Sequence, residues 1–421
     1  MFPLILLYLV LTIIRPQEYM PLFIGLPVLP AVLIMAFGCW LISNGKTFAA
    51  PQFVILPIFL LILMVSVAVN GWFGGALDQL EKFGPIMIAF FVFASACNTQ
   101  RRVTIAMAVF VLCSVVLVVH GIGQARDGVG WTGVPLSEDG RIQYVGIFND
   151  PNDLGLLFAT TMPMAVFLST LRGSLLRLFW LGCAALLFYG TYLTNSRGAL
   201  LAVLVVAGVY VWYRRGLVTA GTLGVVGLAC LKLLSSRMQE LDPDEESASG
   251  RVNAWYEGLH MFLSHPVFGV GAGNFTEYND LTAHNSFVLV LAETGFVGYF
   301  LWLAFVGYSF WMLLTVLRYK PDGIDDPARA SAWQSERRMA LTLLLALCGL
   351  FSAAFFLSRS YTVVMYLVAA MVVGYYVGAR QRFPGLRLFT LADSGWRWLP
   401  AAAGSIAGFF VLVAVLLRVA T

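Results

Sequence analysis

Charged side chains are scarce in this sequence. They make up 11% of its 421 residues, whereas hydrophobic residues make up 60% and the mean hydropathy is +0.83. Soluble domains are about one quarter charged and about one half apolar. A water-soluble fold of this composition would need a dry core larger than single domains build. The composition therefore excludes a soluble protein and predicts an all-α polytopic membrane protein.

Three other features are missing. The six cysteines stand singly in apolar stretches and form no C-x-x-C motif, so we expect small buried side chains rather than disulfides or metal ligands. The net charge of +4 is too small to indicate a nucleic-acid binder. The N-terminus has no basic segment and no small-residue cleavage site, so we predict no removable signal peptide.

Long apolar runs are what the sequence has instead. They predict about 13 membrane-spanning segments, or about 12 if the short first run is re-entrant. The whole chain, 1–421, then forms one transmembrane domain. The segments are expected near 2–14, 22–42, 52–70, 84–98, 103–121, 151–171, 175–195, 198–213, 216–234, 286–317, 338–358, 361–379 and 399–418.

Basic residues fall in every second loop between these segments. With a cytoplasmic N-terminus, 16 of the 26 Lys and Arg residues lie on the inner side, but only five of the 22 Asp and Glu residues do. This pattern follows the positive-inside rule, and with thirteen segments it places the C-terminus outside. Two long loops, 122–150 and 235–285, then face outwards, where long polar connections are usually functional.

Several arginines lie at the outer membrane edge against this trend. Arginine is the natural bidentate ligand of phosphate oxygens, so a convergence of these residues would suit an anionic headgroup. The alternative for each is an ion pair with an outward acid. The residues are Arg126, Arg141, Arg197, Arg251 and Arg359.

Arg197 and Arg251 have the fewest structural explanations. Arg197 lies in T-N-S-R-G, a short link without an adjacent acid, in which Gly198 permits a tight turn. Arg251 opens a stretch, 252–263, whose apolar spacing predicts an amphipathic helix lying on the membrane. At the N-terminus of that helix, exposed N–H groups would also favour an anion.

One histidine and one glutamate are candidates for proton transfer. His284 precedes a predicted span, with Asn285 as its helix cap, so the imidazole would lie at the outer mouth of the bilayer. There it could accept a proton from a hydroxyl, although a lone histidine is more often structural. Glu293 is the one acid well inside an apolar span, and it could line the same cavity.

Two loop motifs have open interpretations. In F-N-D-P-N-D-L-G, Asn152 or Asp153 would cap a helix; the alternatives are binding of sugar hydroxyls, or a divalent metal shared by Asp150 and Asp153. The glycine-rich segment 269–274 does not follow a β-strand, which excludes a nucleotide-binding turn. A flexible loop whose N–H groups face a ligand stays open as an alternative.

Several of these motifs together resemble the O-antigen ligase family, which is similar to O-antigen polymerases and bacterial O-oligosaccharyltransferases. The motif-bearing core spans 141–300, and its motifs flank the long outward loop, 235–285, with its predicted amphipathic helix. The matching segments are R-I-Q-Y-V-G-I-F-N-D-P-N-D from Arg141, T-N-S-R-G from Thr194, S-G-R-V-N-A-W from Ser249, H-P-V-F-G-V-G-A-G-N-F from His265 and A-H-N-S from Ala283.

The resemblance implies an all-helical, GT-C-like membrane glycosyltransferase that acts at the periplasmic face of the bacterial inner membrane. Its donor would be a glycan on undecaprenyl diphosphate, and its acceptor a hydroxyl of the lipid A core, as in the ligases. By the family pattern, Arg197 and Arg251 hold the diphosphate and His284 activates the acceptor. The resemblance also implies an inverting reaction without metal or other cofactor, in which Asp150 and Asp153 shape the sugar site.

Other activities stay open at this point. A polymerase would use the end of another glycan as acceptor, and an oligosaccharyltransferase a protein Ser or Thr. A polysaccharide transporter is a different class of protein, but ion-coupled transporters need charged groups at the membrane midplane, and the predicted spans have almost none. Arg141, Asn152, Asn285, Glu293 and Arg359 are expected to support the site.

Overall fold

The computed structural model describes residues 1–171, 173–234, 246–322 and 325–419. Arg172 and the acidic part of the long loop, 235–245, lie outside the described residues. The described part contains no β-strand, and it has sixteen α-helices. They are α1 Phe2–Ile14, α2 Val28–Ile42, α3 Gln52–Val69, α4 Phe73–Ala96, α5 Gln100–Asp127, α6 Pro151–Leu168, α7 Ser174–Leu193, α8 Arg197–Arg215, α9 Leu217–Leu234, α10 Glu246–Ser264, α11 Phe275–Tyr278, α12 Ser286–Arg318, α13 Pro327–Ala354, α14 Val363–Arg382, α15 Leu391–Ser394 and α16 Trp398–Val419.

The prediction of an all-α polytopic membrane protein is confirmed. Within the described ranges, nine helices are long and apolar enough to cross a membrane, and α1, α2 and α9 are shorter apolar helices. The remaining predicted segment is α6, most of whose residues are buried against other helices. Such all-round burial explains why α6 combines apolar residues with Thr160 and Thr161, whose hydroxyls bond back to carbonyls of their own helix.

The arginine-rich loops that the sequence places inside meet at one end of the bundle. At this end Arg337 on α13 donates to the Tyr213 hydroxyl on α8, with an Nη2–Oη distance of 2.9 Å. Arg382 at the end of α14 bonds the buried Glu336 carboxylate, with an Nε–Oε1 distance of 2.6 Å. The candidate site residues lie at the opposite end. The fold therefore separates the two sets of loops as the charge pattern predicts.

Helix α12 is interrupted at Gly295, whose φ of 62° and ψ of −162° are not helical. A preceding segment of the chain, 266–271, fills the interruption. The N–H of Val270 donates to the carbonyl of Ala292 at 3.0 Å, and that of Phe296 to the carbonyl of Pro266 at 2.8 Å. Irregular backbone at membrane depth is tolerated only when it is buried in protein, and this pairing satisfies the exposed groups.

The interruption requires glycine on both sides. A Cβ on Gly269 would lie 2.3 Å from the carbonyl carbon of Glu293, and one on Gly295 would lie 2.5 Å from that of Val267. Both glycines also have positive φ values, +69° and +62°. This close approach locks the loop that follows α10 to the helix that begins just after His284.

Candidate functional site

Three of the outward arginines line one cavity. Arg141 comes from the 128–150 loop, Arg197 from the start of α8 and Arg251 from α10. Ser196, Gly198 and the α13 end around Phe356 complete its wall. Because guanidinium groups are planar, permanently charged donors, this cavity suits a ligand with several anionic oxygens. We call it the arginine cavity.

Arg141 is held at the floor of the arginine cavity. The residue is 8% exposed, and its Nε donates to the carbonyl of Thr194 at 2.8 Å. Its Nη2 donates to the Asn152 side-chain oxygen at 2.9 Å. The amide nitrogen of Asn152 in turn donates to Asp150 Oδ1 at 2.8 Å. Asn152 thereby connects the arginine cavity to a carboxylate on its other side.

That carboxylate lines a second cavity, of about 450 Å³. Arg359 reaches it from the α13–α14 loop, and its Nε and Nη2 bond the two oxygens of Asp153 at 2.5 and 2.7 Å. Asp150 Oδ2 lies 3.8 Å from the same guanidinium. We call this the acidic cavity, since two carboxylates face one guanidinium. A metal ion shared by the two aspartates would have to displace the guanidinium from Asp153.

His284 interacts electrostatically with charged residues of both cavities. Burial lowers the pKa of its imidazole; the positive charge of Arg251 lowers it further, Asp150 raises it, and Arg359 lowers it. The residue has a left-handed backbone, with φ of 46°. It directly precedes Asn285, whose Oδ1 accepts from the N–H groups of Phe287 and Val288 at 2.9 and 3.1 Å. The predicted helix cap is therefore confirmed.

Glu293 lies two turns further along α12 and is 2% exposed. Its Oε1 accepts from the N–H of Phe275 at 3.4 Å, and its carboxylate also interacts with the phenol of Tyr361. Tyr361 lines the acidic cavity. Glu293 is thus buried behind the cavity wall, where it interacts with the glycine-rich loop and with Tyr361, and it lines neither cavity.

Some local predictions were wrong. The left-handed residue of the link before α8 is Asn195, with φ of 45°, whereas Gly198 is helical and packs near Phe356. Helix α6 is capped by Asp150, which accepts from the N–H of Asn152 at 2.8 Å. Asp150 takes this position because Pro151, which lacks an N–H, fits the first helical residue.

Arg251 does not begin its helix either. Helix α10 starts at Glu246, more than a turn earlier, because Ser249 and Gly250 continue the helix instead of breaking it. The N–H groups around Arg251 therefore lie inside the helix, so the predicted anion-binding helix end at Arg251 is absent. Trp255 and Leu259 on α10 are buried, and the Trp255 ring lies 5.6 Å from that of Phe355.

The backbone of the glycine-rich loop, 269–274, is hydrogen-bonded to other parts of the protein. The N–H of Gly271 donates to the carbonyl of Glu293 at 3.0 Å, and that of Ala272 to the Ser66 hydroxyl at 3.1 Å. The side-chain amides of Asn70 and Gln79 bond its carbonyls at 2.9 Å. These N–H groups are taken by protein acceptors, so the alternative in which they face a ligand is wrong.

Arg126 is not part of either cavity. Its side chain is 86% exposed and lies 3.7 Å from the carboxylate of the neighbouring Asp127. Two of the other histidines are also elsewhere: His120 packs between aromatic rings, and His260 bonds the carbonyl of Tyr256 on α10. Of the five outward arginines, three therefore share one cavity, one lines the next, and one stands apart.

Sequence reasoning missed Arg15. It follows α1 in a left-handed conformation, with φ of 52°, and forms an ion pair with Glu18. A Cβ on Gly146 would lie 2.3 Å from its Nε, so its side chain packs on the backbone that lines the acidic cavity. The same topology argument that selected the other outward arginines would have found it, because it follows the first apolar run.

Comparison with known families supports the resemblance of the motifs. A family model described as O-Antigen ligase matches residues 182–303, which run from α7 into α12 and include Arg197, Arg251, His284 and Glu293. No curated protein matches the chain. The family implies ligase or polymerase activity on glycans in a membrane, with a lipid-linked glycan and an acceptor as partners. Residues 182–303 are therefore similar to the O-antigen ligase family, as the motifs indicated.

Proposed function

We propose that the protein is a glycosyltransferase that moves a glycan from undecaprenyl diphosphate to an acceptor hydroxyl. The convergence of Arg141, Arg197 and Arg251 on one cavity, with His284 in electrostatic contact with Arg251, supports this function. A diphosphate leaving group gains negative charge as the glycosidic bond breaks, and fixed arginines stabilise that charge. The match to the O-antigen ligase family supports the same reaction class.

His284 is the base in this proposal. An acceptor hydroxyl must lose its proton as it attacks the anomeric carbon, and only a neutral imidazole can take it. Burial and the neighbouring Arg251 lower the pKa of His284, which keeps the neutral form at neutral pH. The bond to the diphosphate oxygen breaks as the new glycosidic bond forms. In this proposal the arginines, rather than a metal ion, stabilise the charge of the departing diphosphate.

The site faces the periplasm of the bacterial inner membrane in this proposal. The arginine-rich loops gather at the opposite end of the bundle, and by the positive-inside rule that end is cytoplasmic. The lipid A core is the proposed acceptor, as in the ligases of the family. The polyprenyl diphosphate product would leave sideways into the bilayer.

Transfer by the purified protein in lipid nanodiscs tests the proposal. The donor is an undecaprenyl-diphosphate glycan and the acceptor is lipid A core. We expect Arg197→Ala, Arg251→Ala and His284→Ala each to lower the transfer rate by roughly 10²-fold or more, as losses of charge stabilisation or of a general base do. Arg126→Ala is the matched control, because this outward arginine lines neither cavity. Full transfer by all three site variants would contradict the proposal.

Three further measurements separate the alternatives. Deletion of the gene should remove capped lipid A core if the protein is a ligase, but only shorten the glycan if it is a polymerase; glycan loss from protein Ser or Thr would indicate an oligosaccharyltransferase. Movement of intact lipid-linked glycan across vesicles would indicate a transporter. Transfer that survives EDTA would exclude a metal at Asp150 and Asp153.

A further inference from the structure

The segment 383–397, which lies between α14 and α16, carries two arginines whose charges meet at one aromatic ring. The Cζ atom of Arg387 lies 4.9 Å from the centre of the Trp311 ring, and that of Arg397 lies 5.6 Å from the same centre. Within the described residues, neither guanidinium forms an ion pair or a side-chain hydrogen bond. Asp393, the one acid of the segment, accepts a hydrogen bond from a hydroxyl of its own turn at 2.5 Å instead. Two like charges therefore lie together, and no acid in the described part of the chain neutralises them.

Hydrogen bonds from two neighbouring helices hold this segment in place. The Tyr376 hydroxyl on α14 donates to the carbonyl of Arg387 at 2.6 Å. The Tyr308 and Ser394 hydroxyls are hydrogen-bonded at 2.9 Å, which attaches α15 to α12. Arg387 and Arg397 are nevertheless both exposed. The fold thus positions the segment, while the two arginine side chains are accessible to a ligand.

Such a pair of arginines suits the oxygens of a phosphate. Each guanidinium has five N–H donors in a planar fork that matches phosphate geometry, and a contact with an aromatic face leaves these donors available. Like charges repel each other, and the repulsion between Arg387 and Arg397 falls when an anion binds beside them. The pair is therefore a candidate site for a phosphate group.

The surface around the two arginines is apolar and lies at a membrane boundary. Helix α14 ends at Arg382 and α16 begins at Trp398, and both belong to stretches long and apolar enough to cross a membrane. Leu388 and Trp396 in the segment between them are 47% and 63% exposed, and the Trp396 ring centre lies 5.7 Å from Cζ of Arg397. Tryptophan is enriched at the level of the lipid headgroups. Exposed apolar side chains beside these cations fit a lipid better than a soluble anion.

We infer that this surface binds the headgroup of an anionic phospholipid. The lipid phosphate pairs with Arg387 and Arg397, and the apolar part of the lipid lies against Leu388 and Trp396. Basic pockets between membrane-spanning helices bind anionic headgroups by the same attraction. The surface lies at the arginine-rich end of the bundle, opposite the candidate functional site, so the inference is independent of the proposed function.

Binding of single lipids to the full-length protein in detergent, measured by native mass spectrometry, tests this inference. The probes are dioleoyl phosphatidylglycerol, which is anionic, and dioleoyl phosphatidylcholine, which has the same phosphate but no net charge. We expect the first phosphatidylglycerol to bind roughly tenfold more tightly than phosphatidylcholine, because only its charge is left to the two arginines. The double variant Arg387→Gln/Arg397→Gln should lose most of this preference.

The matched control is the double variant Arg214→Gln/Arg215→Gln. It removes two exposed arginines at the same end of the bundle, at the end of α8, and should leave the preference unchanged. Trp311→Leu keeps both charges of the site but removes the ring that they share. It should weaken phosphatidylglycerol binding several-fold and leave phosphatidylcholine binding as it is.

Equal binding of the two lipids to the unmodified protein would overturn the inference, whether or not the variants fold. An equal loss in the two double variants would overturn it too, since the lipid would then respond only to the net charge of this end. Excess inorganic phosphate should not displace phosphatidylglycerol from the unmodified protein. Displacement would show that the arginines bind a free anion instead of a lipid headgroup.

Discussion

A guanidinium and a carboxylate act on the pKa of His284 in opposite directions. Arg251 and burial both disfavour the imidazolium, whereas Asp150 favours it. Its net pKa is lowered, so the folded protein binds a proton at this ring less readily than the unfolded chain does. The contribution of His284 to stability is therefore present above its unfolded pKa, about 6.5, and is lost as the pH falls below that value.

Two substitutions should move the titration of His284 in opposite directions. Arg251→Gln removes a positive neighbour and should raise the pKa of the imidazole. Asp150→Asn removes a negative neighbour and should lower it. NMR titration of histidine-labelled protein measures both, with His284→Ala to identify the signal. Shifts of the same sign in the two variants would mean that these two charges do not act on His284 in opposite directions.

Among the helices, α10 and α12 determine where two candidate site residues lie relative to each other. Arg251 lies on α10 and His284 directly before α12, and the segment 266–271 joins them by filling the interruption at Gly295. Helix α12 alone would leave backbone groups unsatisfied at its interruption. The interlocked backbone therefore fixes the position of the arginine cavity relative to the histidine.

Gly269→Ala should destabilise the protein far more than Gly133→Ala. Both glycines have positive φ values, +69° and +83°, so both substitutions cost about 1–2 kcal/mol of backbone strain. Only at Gly269 does the new Cβ meet backbone, 2.3 Å from the carbonyl carbon of Glu293, whereas nothing lies within 4 Å at Gly133. We expect about 2 kcal/mol or more of additional destabilisation.

Unfolding of the purified variants in detergent, followed by the midpoint of the transition, measures this difference. Similar midpoints for the two alanine variants would show that the loop can move away from α12, and that it does not fix the two helices.

For the molecule as a whole, the separation of charged loops between two ends sets its orientation. Asp280, in the loop before His284, and Asp325, before α13, are both exposed acids at opposite ends of the bundle. In a variant whose native cysteines are replaced, Asp280→Cys should react with a membrane-impermeant maleimide in cells with a permeabilised outer membrane. Asp325→Cys should react only after the inner membrane is broken. The reverse pattern would place the site in the cytoplasm.

The sequence by itself determined the class of protein, because burial of apolar helices in lipid depends on composition and length. It predicted about thirteen spans, and within the described residues nine helices are long and apolar enough to cross a membrane. It also selected Arg197, Arg251 and His284, because scarce charges at the outer edge have few structural explanations. The exact helix boundaries were predicted less reliably. At the cap of α6 and at the start of α10, the residues are compatible with a position either inside or outside the helix.

Only the tertiary structure decided which charges meet. Asp153 and Arg359 are 206 residues apart in the chain, and no periodicity connects them. Arg15 also contacts Gly146, and the segment 266–271 contacts Gly295, without any sequence pattern that connects them. These contacts depend on how the helices pack side by side. Packing depends on the shapes of entire helix faces, and a local sequence pattern does not encode those shapes. The division into an arginine cavity and an acidic cavity is therefore a property of the folded chain.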